Sequence, residues 1–395
     1  MFGELCVRCK GRLWCGLPKC PILESAKNYL PRLKINPSDI FGTSPSIFVG
    51  RYGYPNVLAG PLISQDEKPM LFFDTSLLYG KDLDYIVRST SSLLRASVRV
   101  NVKKPAGRIV DATQEISMST KPLDTEVKVE RVKNTPTLDT FFHPTGPIIV
   151  PRKIDVVDNP AIPKKVDSAV DERLKANRVI VELYRYGFSV DYIQRLLSSG
   201  VLGFDRKLVP TRWSITAVDD IIAKDLMKRV KKYDTIGEVE YYSNSFMGNY
   251  FHILLIPGSW EFEMLESWLS GSVYSSSQTI VGEDYEPYEG RKKYAENITG
   301  AYYSARLAVL EHLERRRRQA KVIIYREITP EYKLPLGVWV IRETARHAMY
   351  STPLKFSTLD ESVRFVNEKV RNKKWSEKSK IIYILKKQRR IEDFI

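Results

Sequence analysis

Cysteine is nearly absent: the four present fall at Cys6, Cys9, Cys15 and Cys20, and the rest of the chain has none. A disulfide framework spread through the fold is therefore excluded. No apolar run approaches the roughly 18 residues that span a bilayer, and the N-terminus lacks the apolar stretch of a secretory signal peptide, which points away from membranes and to the cytoplasm. The four histidines, His143, His252, His312 and His347, share no motif spacing. H-E-x-x-H, G-x-S-x-G, Walker and nucleotide-cofactor fingerprints are missing, so histidine-dyad, zincin and cofactor-dependent chemistry have no support in the sequence. Acidic residues are outnumbered, 47 against 62 Lys and Arg, leaving a formal charge of +15 over 395 residues. Such an excess favours a polyanionic partner, with nucleic acid foremost. With 43% apolar and 28% charged residues, the chain reads as globular, with length for two or three domains.

The cysteines form C-x2-C-x5-C-x4-C, interrupted by Gly11 and Gly16. Four thiolates in so short a loop suit a tetrahedral Zn2+ site, and with all four bound no position stays open, so the metal would be structural. Two disulfides would use the same residues but need an oxidising compartment. Residues 1–21 thus read as a zinc-binding module. Residues 22–45, with Pro31, Pro37 and Pro45, read as a linker.

A sheet-rich domain is expected over 46–150. Strand ends at Ile47–Val49 and Val57–Leu58 enclose a loop in which Arg51 offers a phosphate-binding cation beside the faces of Tyr52 and Tyr54; the plain alternative is a tight hairpin. Strands are expected at Phe72–Tyr79, Ala96–Val102, Gly107–Ala112, Thr125–Val132 and Ile148–Val150, with a helix over Leu83–Leu94. Asp111, Glu126 and Lys128 on adjacent strands would match a nuclease arrangement holding Mg2+ or Mn2+ beside a lysine, or simply be charge alternation on exposed strands. Residues 151–171 read as a connector.

A helical and α+β domain is expected over 172–345. Helices at Ala176–Tyr186 and Ser189–Ser198, with Ser189 as N-cap and Gly200 as stop, form either a core pair or a helix-turn-helix with Gln194 and Arg195 exposed. A capping-box-like start at Thr216 and Asp219 puts Arg212, Trp213 and Ser214 just ahead of a helix, as a phosphate site or as plain cap packing. Strands are expected at Val239–Tyr242, Asn249–Ile256, Ile280, Val322–Ile328 and Leu336–Arg342. A helix over Ser259–Leu269 would align Trp260, Met264 and Trp268, while Glu261 and Glu263 could join Glu283, Asp284, Glu286 and Glu289 of a loop in an Mg2+-binding cluster or a solvated acidic turn. A helix over Thr299–Ala320 ends in Arg315, Arg316, Arg317 and Arg318, read as contacts to a DNA backbone.

A basic segment follows over 346–385; from Arg364 to Arg390 eleven Lys or Arg residues stand against Glu368 and Glu377, a net +9. In the final stretch, 386–395, Gln388, Ile391, Phe394 and Ile395 fall at helical spacing, suited to an apolar groove. This pattern resembles the peptide that binds the PCNA sliding clamp, with Ile395 in place of the second aromatic; a helix end folded back on the core is the alternative.

The four-cysteine start, Val49-Gly-Arg-Tyr-Gly-Tyr-Pro55, Pro210-Thr-Arg-Trp-Ser214, the acidic stretch around Tyr285 and Tyr288 and the terminal glutamine peptide occur in one order. Together they resemble the archaeal Nre DNA repair proteins along the whole chain. The resemblance implies a zinc finger on the four cysteines and a clamp-binding peptide on Gln388, Ile391, Phe394 and Ile395; it carries over no catalytic residue. The expectation is an α+β protein with a mixed sheet-rich core, a helical segment, an N-terminal zinc module and a clamp-binding tail. It would bind DNA, be recruited by PCNA and associate with the nucleoid. The alternatives are a metal-dependent repair nuclease and a zinc-containing RNA-binding protein.

Overall fold

The computed structural model describes residues 3–30, 39–65, 73–133, 138–172, 174–275 and 277–387. Gln388, Ile391, Phe394 and Ile395 lie outside them, as do Pro31, Pro37 and Phe72. The architecture is α+β, with two mixed sheets. In chain order it runs α1 (Gly3–Cys9), α2 (Pro21–Ala26), β1 (Ile40–Val49), β2 (Asn56–Ser64), α3 (Leu83–Ser91), β3 (Leu94–Ala96), β4 (Val98–Asn101), α4 (Arg108–Met118), β5 (Leu123–Lys133) and β6 (Ile148–Val156). Then come α5 (Lys164–Asp171), α6 (Ala176–Arg185), α7 (Val190–Ser198), α8 (Thr211–Val230), β7 (Val239–Phe246), β8 (Asn249–Ile256), β9 (Glu261–Trp268) and β10 (Ile280–Glu286). The chain ends with α9 (Gly300–Arg316), β11 (Lys321–Ile328), α10 (Trp339–Tyr350), β12 (Leu354–Phe356), α11 (Leu359–Lys369) and α12 (Lys380–Lys387). It divides into two units, one of Ser25–Ile222 with Pro335–Trp339, the other of Met1–Glu24, Ala223–Leu334 and Val340–Ile395.

In the first unit the sheet closes on itself. β1 pairs with both β5 and β2, and the ring is completed through β6 and β3. All these pairings are antiparallel except β3 with β6. β3 and β4 hold one register against β2, from Leu62↔Arg95 to Asn56↔Asn101, so they act as one strand broken at Ser97. The break sits opposite Gly60, where an added Cβ would lie 1.9 Å from the Ala96 carbonyl oxygen; only glycine lets the two backbones approach there. Ile47, Val57, Ile63, Val100, Leu123, Val127, Ile149 and Ile154 fill the interior, and α4 adds Ile109, Val110, Ala112 and Ile116 to the same core.

That helix corrects the strand expected over Gly107–Ala112. Its buried residues recur three and four apart, the helical period, and Gly107 begins it at φ +101°. The expected strand ending at Tyr79 is instead a short 3-10 turn, Thr75–Leu78, capped by Asp74. β1 and α2 occupy parts of the expected linker, and β6 and α5 parts of the expected connector. α6 and α7 form as expected, Ser189 accepting from the Tyr192 amide at 3.2 Å. Gln194 and Arg195, however, are buried, so α7 presents neither as a recognition residue.

The second sheet runs β10-β9-β11-β8-β7-β12, with β9 and β11 parallel. Helices cover both faces. Phe262 meets Tyr302 of α9 edge-on at 5.0 Å, whereas Leu265, on the opposite face of β9, packs with Val366 of α11 and Ile381 of α12. β9 corrects the helix expected over Ser259–Leu269. A strand buried on both faces loses its polar alternation, and Trp260, Met264 and Trp268, spaced by four, share one face of a strand as readily as of a helix. α10 likewise replaces the strand expected over Leu336–Arg342, and the acidic stretch from Gly282 to Glu286 is strand, not loop. No helix among the described residues is long and apolar enough to cross a membrane.

Candidate functional site

The turn joining β1 to β2 sets the half-buried cation Arg51 beside the exposed aromatic side chains Tyr52 and Tyr54. Gly50 N donates to Leu58 O at 2.8 Å and Asn56 N to Gly53 O at 2.9 Å, closing the turn; Gly53 takes φ +81°. Arg51 lies 4.3 Å over the Tyr52 ring and donates to its hydroxyl at 2.8 Å. Tyr54 meets Trp213 of α8 with centroids 5.2 Å apart and planes tilted by 51°. Tyr52, Tyr54 and Trp213 are 63%, 46% and 45% exposed, enough to leave ring surface for a ligand. The end of β1 is fixed to α8 by Val49 N donating to Thr211 Oγ1 at 2.9 Å. Arg99 of β4 donates to Asn56 O at 2.9 Å, which places a further exposed cation against the turn.

α8 starts at Thr211, not near Thr216, so Arg212, Trp213 and Ser214 form its first turn. Pro210 accepts from the Trp213 and Ser214 amides at 2.7 and 3.0 Å. Of the three, Trp213 faces solvent. Arg212 is packed 3.8 Å over Phe141 with Asp139 beside it, and Ser214 is buried, its hydroxyl donating to Thr211 O at 2.9 Å.

In the other unit the four arginines divide. Arg316 makes a forked ion pair with Glu240, one limb at 2.8 Å, which holds the carboxyl below its ordinary range against the opposing effect of burial. Arg317 takes φ +53° as the C-cap of α9, and Arg315 lies 5.0 Å over Tyr350. Arg315, Arg317 and Arg318 remain exposed at the helix end.

Four of the acidic residues, Glu261, Glu263, Asp284 and Glu286, are committed to structure. Glu261 pairs with Lys321 and accepts from the Tyr285 hydroxyl at 2.7 Å. Asp284 accepts from Arg291 at 3.0 Å and from the Asn297 and Ile298 amides at 3.0 and 2.7 Å; buried Glu286 pairs with buried Arg306. Glu263 receives Ser379 Oγ and the Lys380 amide, each at 2.5 Å, and so anchors the start of α12. Burial pushes its carboxyl up from 4.5 to about 7, although those hydrogen bonds oppose the shift. A carboxyl raised by folding binds its proton more tightly in the folded state, so its contribution is full below pH 4.5 and is lost as pH rises through about 7. Across that window the stability of wild type is expected to fall relative to Glu263→Gln. Parallel melting curves for the two proteins would sink this account.

The nuclease trio is dispersed over different elements. Asp111 is on α4, not at a strand end, while Glu126 and Lys128 are exposed on β5 opposite Asp155 and Lys153 of β6. Among the described residues no group of three or more His, Cys, Asp or Glu side chains is set to hold a metal ion.

Cys6, Cys9, Cys15 and Cys20 nevertheless line one cavity of about 440 Å³ with Leu13 and Tyr274. Their thiols are near enough that burial first, then Cys20, Cys9 and Cys15, raise the Cys6 pKa. The loop turns tightly through Lys10, Gly11, Leu13 and Gly16, all at positive φ, and Trp14 N lies 3.4 Å from Cys9 Sγ. The soft donor set suits Zn2+ in kind, and the thiols face a shared space without being drawn to ligand distances. Lys10, within this loop, is buried against Glu266 at 2.8 Å and Ile298 O at 3.0 Å. The sequence signalled neither this contact nor the meeting of Tyr54 with Trp213, because no local pattern links residues so distant.

The sequence profile of archaeal Nre, N-terminal, matches residues 14–275, and that of archaeal Nre, C-terminal, matches 286–394. The chain belongs to the archaeal Nre family. Among Nre relatives, DNA repair protein NreA of Archaeoglobus fulgidus is 37% identical over 379 residues, covering 95% of this chain and 96% of its own. DNA repair protein NreB of the same organism is 34% identical over 387 residues, with coverages of 95% and 96%. NreA of Haloferax volcanii is 38% identical over 346 residues, covering 83% and 82%. No solved structure matches the chain. The Nre match takes in Cys15, Cys20 and the β1–β2 turn and, at its other end, Gln388, Ile391 and Phe394; Cys6 and Cys9 precede it.

Proposed function

We propose that this chain is a DNA-repair factor that binds DNA and is recruited to it by the PCNA sliding clamp through Gln388, Ile391, Phe394 and Ile395. The observation carrying the DNA-binding half is the group of half-buried Arg51 with exposed Tyr52, Tyr54 and Trp213, assembled from two distant segments; such a cation and ring faces suit phosphates and bases. The names of the Nre relatives support the repair role, and the family match running to residue 394 supports the tail as part of the family pattern. Exposed Arg315, Arg317 and Arg318 supply a second basic surface. Cys6, Cys9, Cys15 and Cys20 would hold a structural Zn2+, which would cross-link the loop and take no part in chemistry. A protein engaged in this work would be cytoplasmic and associated with the nucleoid.

Binding to labelled DNA measured over a salt series tests the interaction with phosphates. Log affinity is expected to fall linearly with log salt, and replacing Arg315, Arg317 and Arg318 together by glutamate should flatten that slope by about 0.9 for each duplex phosphate no longer neutralised. Salt-insensitive binding, or a slope unchanged in the variant, would contradict this assignment.

A further inference from the structure

Counted along the chain, the barrel's strands are β1, β2, the continuous β3–β4, β5 and β6. Around the ring they stand first, second, third, fifth, fourth, returning to the first. The third and fifth run parallel and every other neighbouring pair antiparallel. α4, between the third and fourth, contributes to the barrel core. This is the topology of the OB-fold, a Greek-key barrel that takes oligonucleotides on its second and third strands, between the first–second and fourth–fifth loops.

Topology alone does not give function, but here the side chains stand at those loops. The first–second loop bears Arg51, Tyr52 and Tyr54. The fourth–fifth connection bears Asp139 and Phe141. Two consecutive residues of α8 reach both: Trp213 meets Tyr54 at 5.2 Å, and Arg212 lies 3.8 Å over Phe141. Arg99, on the third strand, sits against the first–second loop, with Lys103 and Lys104 exposed just after it. Exposed rings beside cations, at the loops where this barrel topology receives nucleic acid, favour unpaired bases, because bases within a duplex already stack on one another.

We propose that this end of the barrel binds single-stranded DNA, stacking bases on Tyr52, Tyr54 and Trp213 while Arg51 and Arg99 face the phosphates. The inference rests on the DNA-binding reading above and narrows it to strands that are open, gapped or unwound.

The test is fluorescence anisotropy of the full chain with a labelled oligothymidylate, a blunt duplex of equal length and an oligouridylate. Wild type is expected to bind the DNA single strand at least about tenfold more tightly than the duplex. Tyr54→Ala and Trp213→Ala should each weaken single-strand binding by about tenfold and duplex binding by clearly less, whereas Trp213→Phe retains most of the single-strand binding. Quenching of tryptophan emission on adding oligothymidylate should shrink in Trp213→Phe. Because all three rings are substantially exposed, melting temperatures should match wild type, which separates lost binding from lost folding. If the chain binds both DNAs and a folded Tyr52→Ala/Tyr54→Ala/Trp213→Ala variant binds the single strand like wild type, this site is overturned and general DNA binding stands. Failure to bind either DNA overturns both, and tighter binding of oligouridylate overturns the assignment to DNA.

Discussion

Replacing Glu266 by alanine is expected to destabilise the chain by about 3–5 kcal/mol, because it leaves two buried cations without their shared carboxylate. Glu266 lies on β9 with its side chain 1% exposed. It accepts from Lys10 Nζ at 2.8 Å, from Arg326 Nη1 at 2.5 Å and from Trp268 Nε1 at 3.2 Å. Burial lowers the Lys10 pKa, while the charge and hydrogen bond of Glu266 act in the opposite sense. Lys10→Met removes one cation and leaves Glu266 with Arg326, which Asn249 also holds at 3.0 Å; its cost should be clearly smaller. Equilibrium denaturation of the two variants and their double mutant gives the coupling. Equal losses for both single variants would refute the shared-carboxylate account. Since Lys10 belongs to the cysteine loop, Glu266→Ala should also speed proteolysis near Cys15.

This network marks the limit of what the sequence could reveal. α6 and α7 were legible because their punctuation and periodicity are local: Ser189, Gly187 and Gly200 bound segments whose apolar residues recur at helical spacing. β7, β8 and β11 were legible as short runs rich in aliphatic and aromatic residues. β9 was not, since burial on both faces removes the alternation that identifies a strand, and α4 was not, since the adjacent β-branched Ile109 and Val110 in a short window read as strand. The barrel depends on β1 meeting β5 and β3 meeting β6, pairings across long separations that no window detects. Arg51, Tyr52 and Tyr54 could be singled out as a loop suited to phosphate and base. Their partnership with Trp213 could not, because Tyr54 and Trp213 lie far apart in the chain and no local pattern joins them. Ser214, read alongside Trp213, is buried by the same helix start, one position removed on a surface that turns about 100° per residue.

Deleting residues 388–395 should abolish stable association with a PCNA ring while leaving single-stranded DNA binding intact. The described chain ends in α12, whose start is fixed to β9 by Glu263 and whose Ile381 and Ile382 are buried with Trp375 and Val366. Residues 388–395 follow Lys387 directly in the sequence. Ile391 and Phe394, three residues apart, can share one apolar groove, and buried anchors of this kind commonly contribute about 2 kcal/mol or more each. Ile391→Ala and Phe394→Ala should each weaken clamp binding by roughly 30-fold. Gln388→Ala should weaken it less, because a lost hydrogen bond costs only about 0.5–1.5 kcal/mol. A synthetic peptide covering 386–395 should compete with the full chain for the ring. If the truncated chain still binds PCNA in surface plasmon resonance, recruitment resides elsewhere.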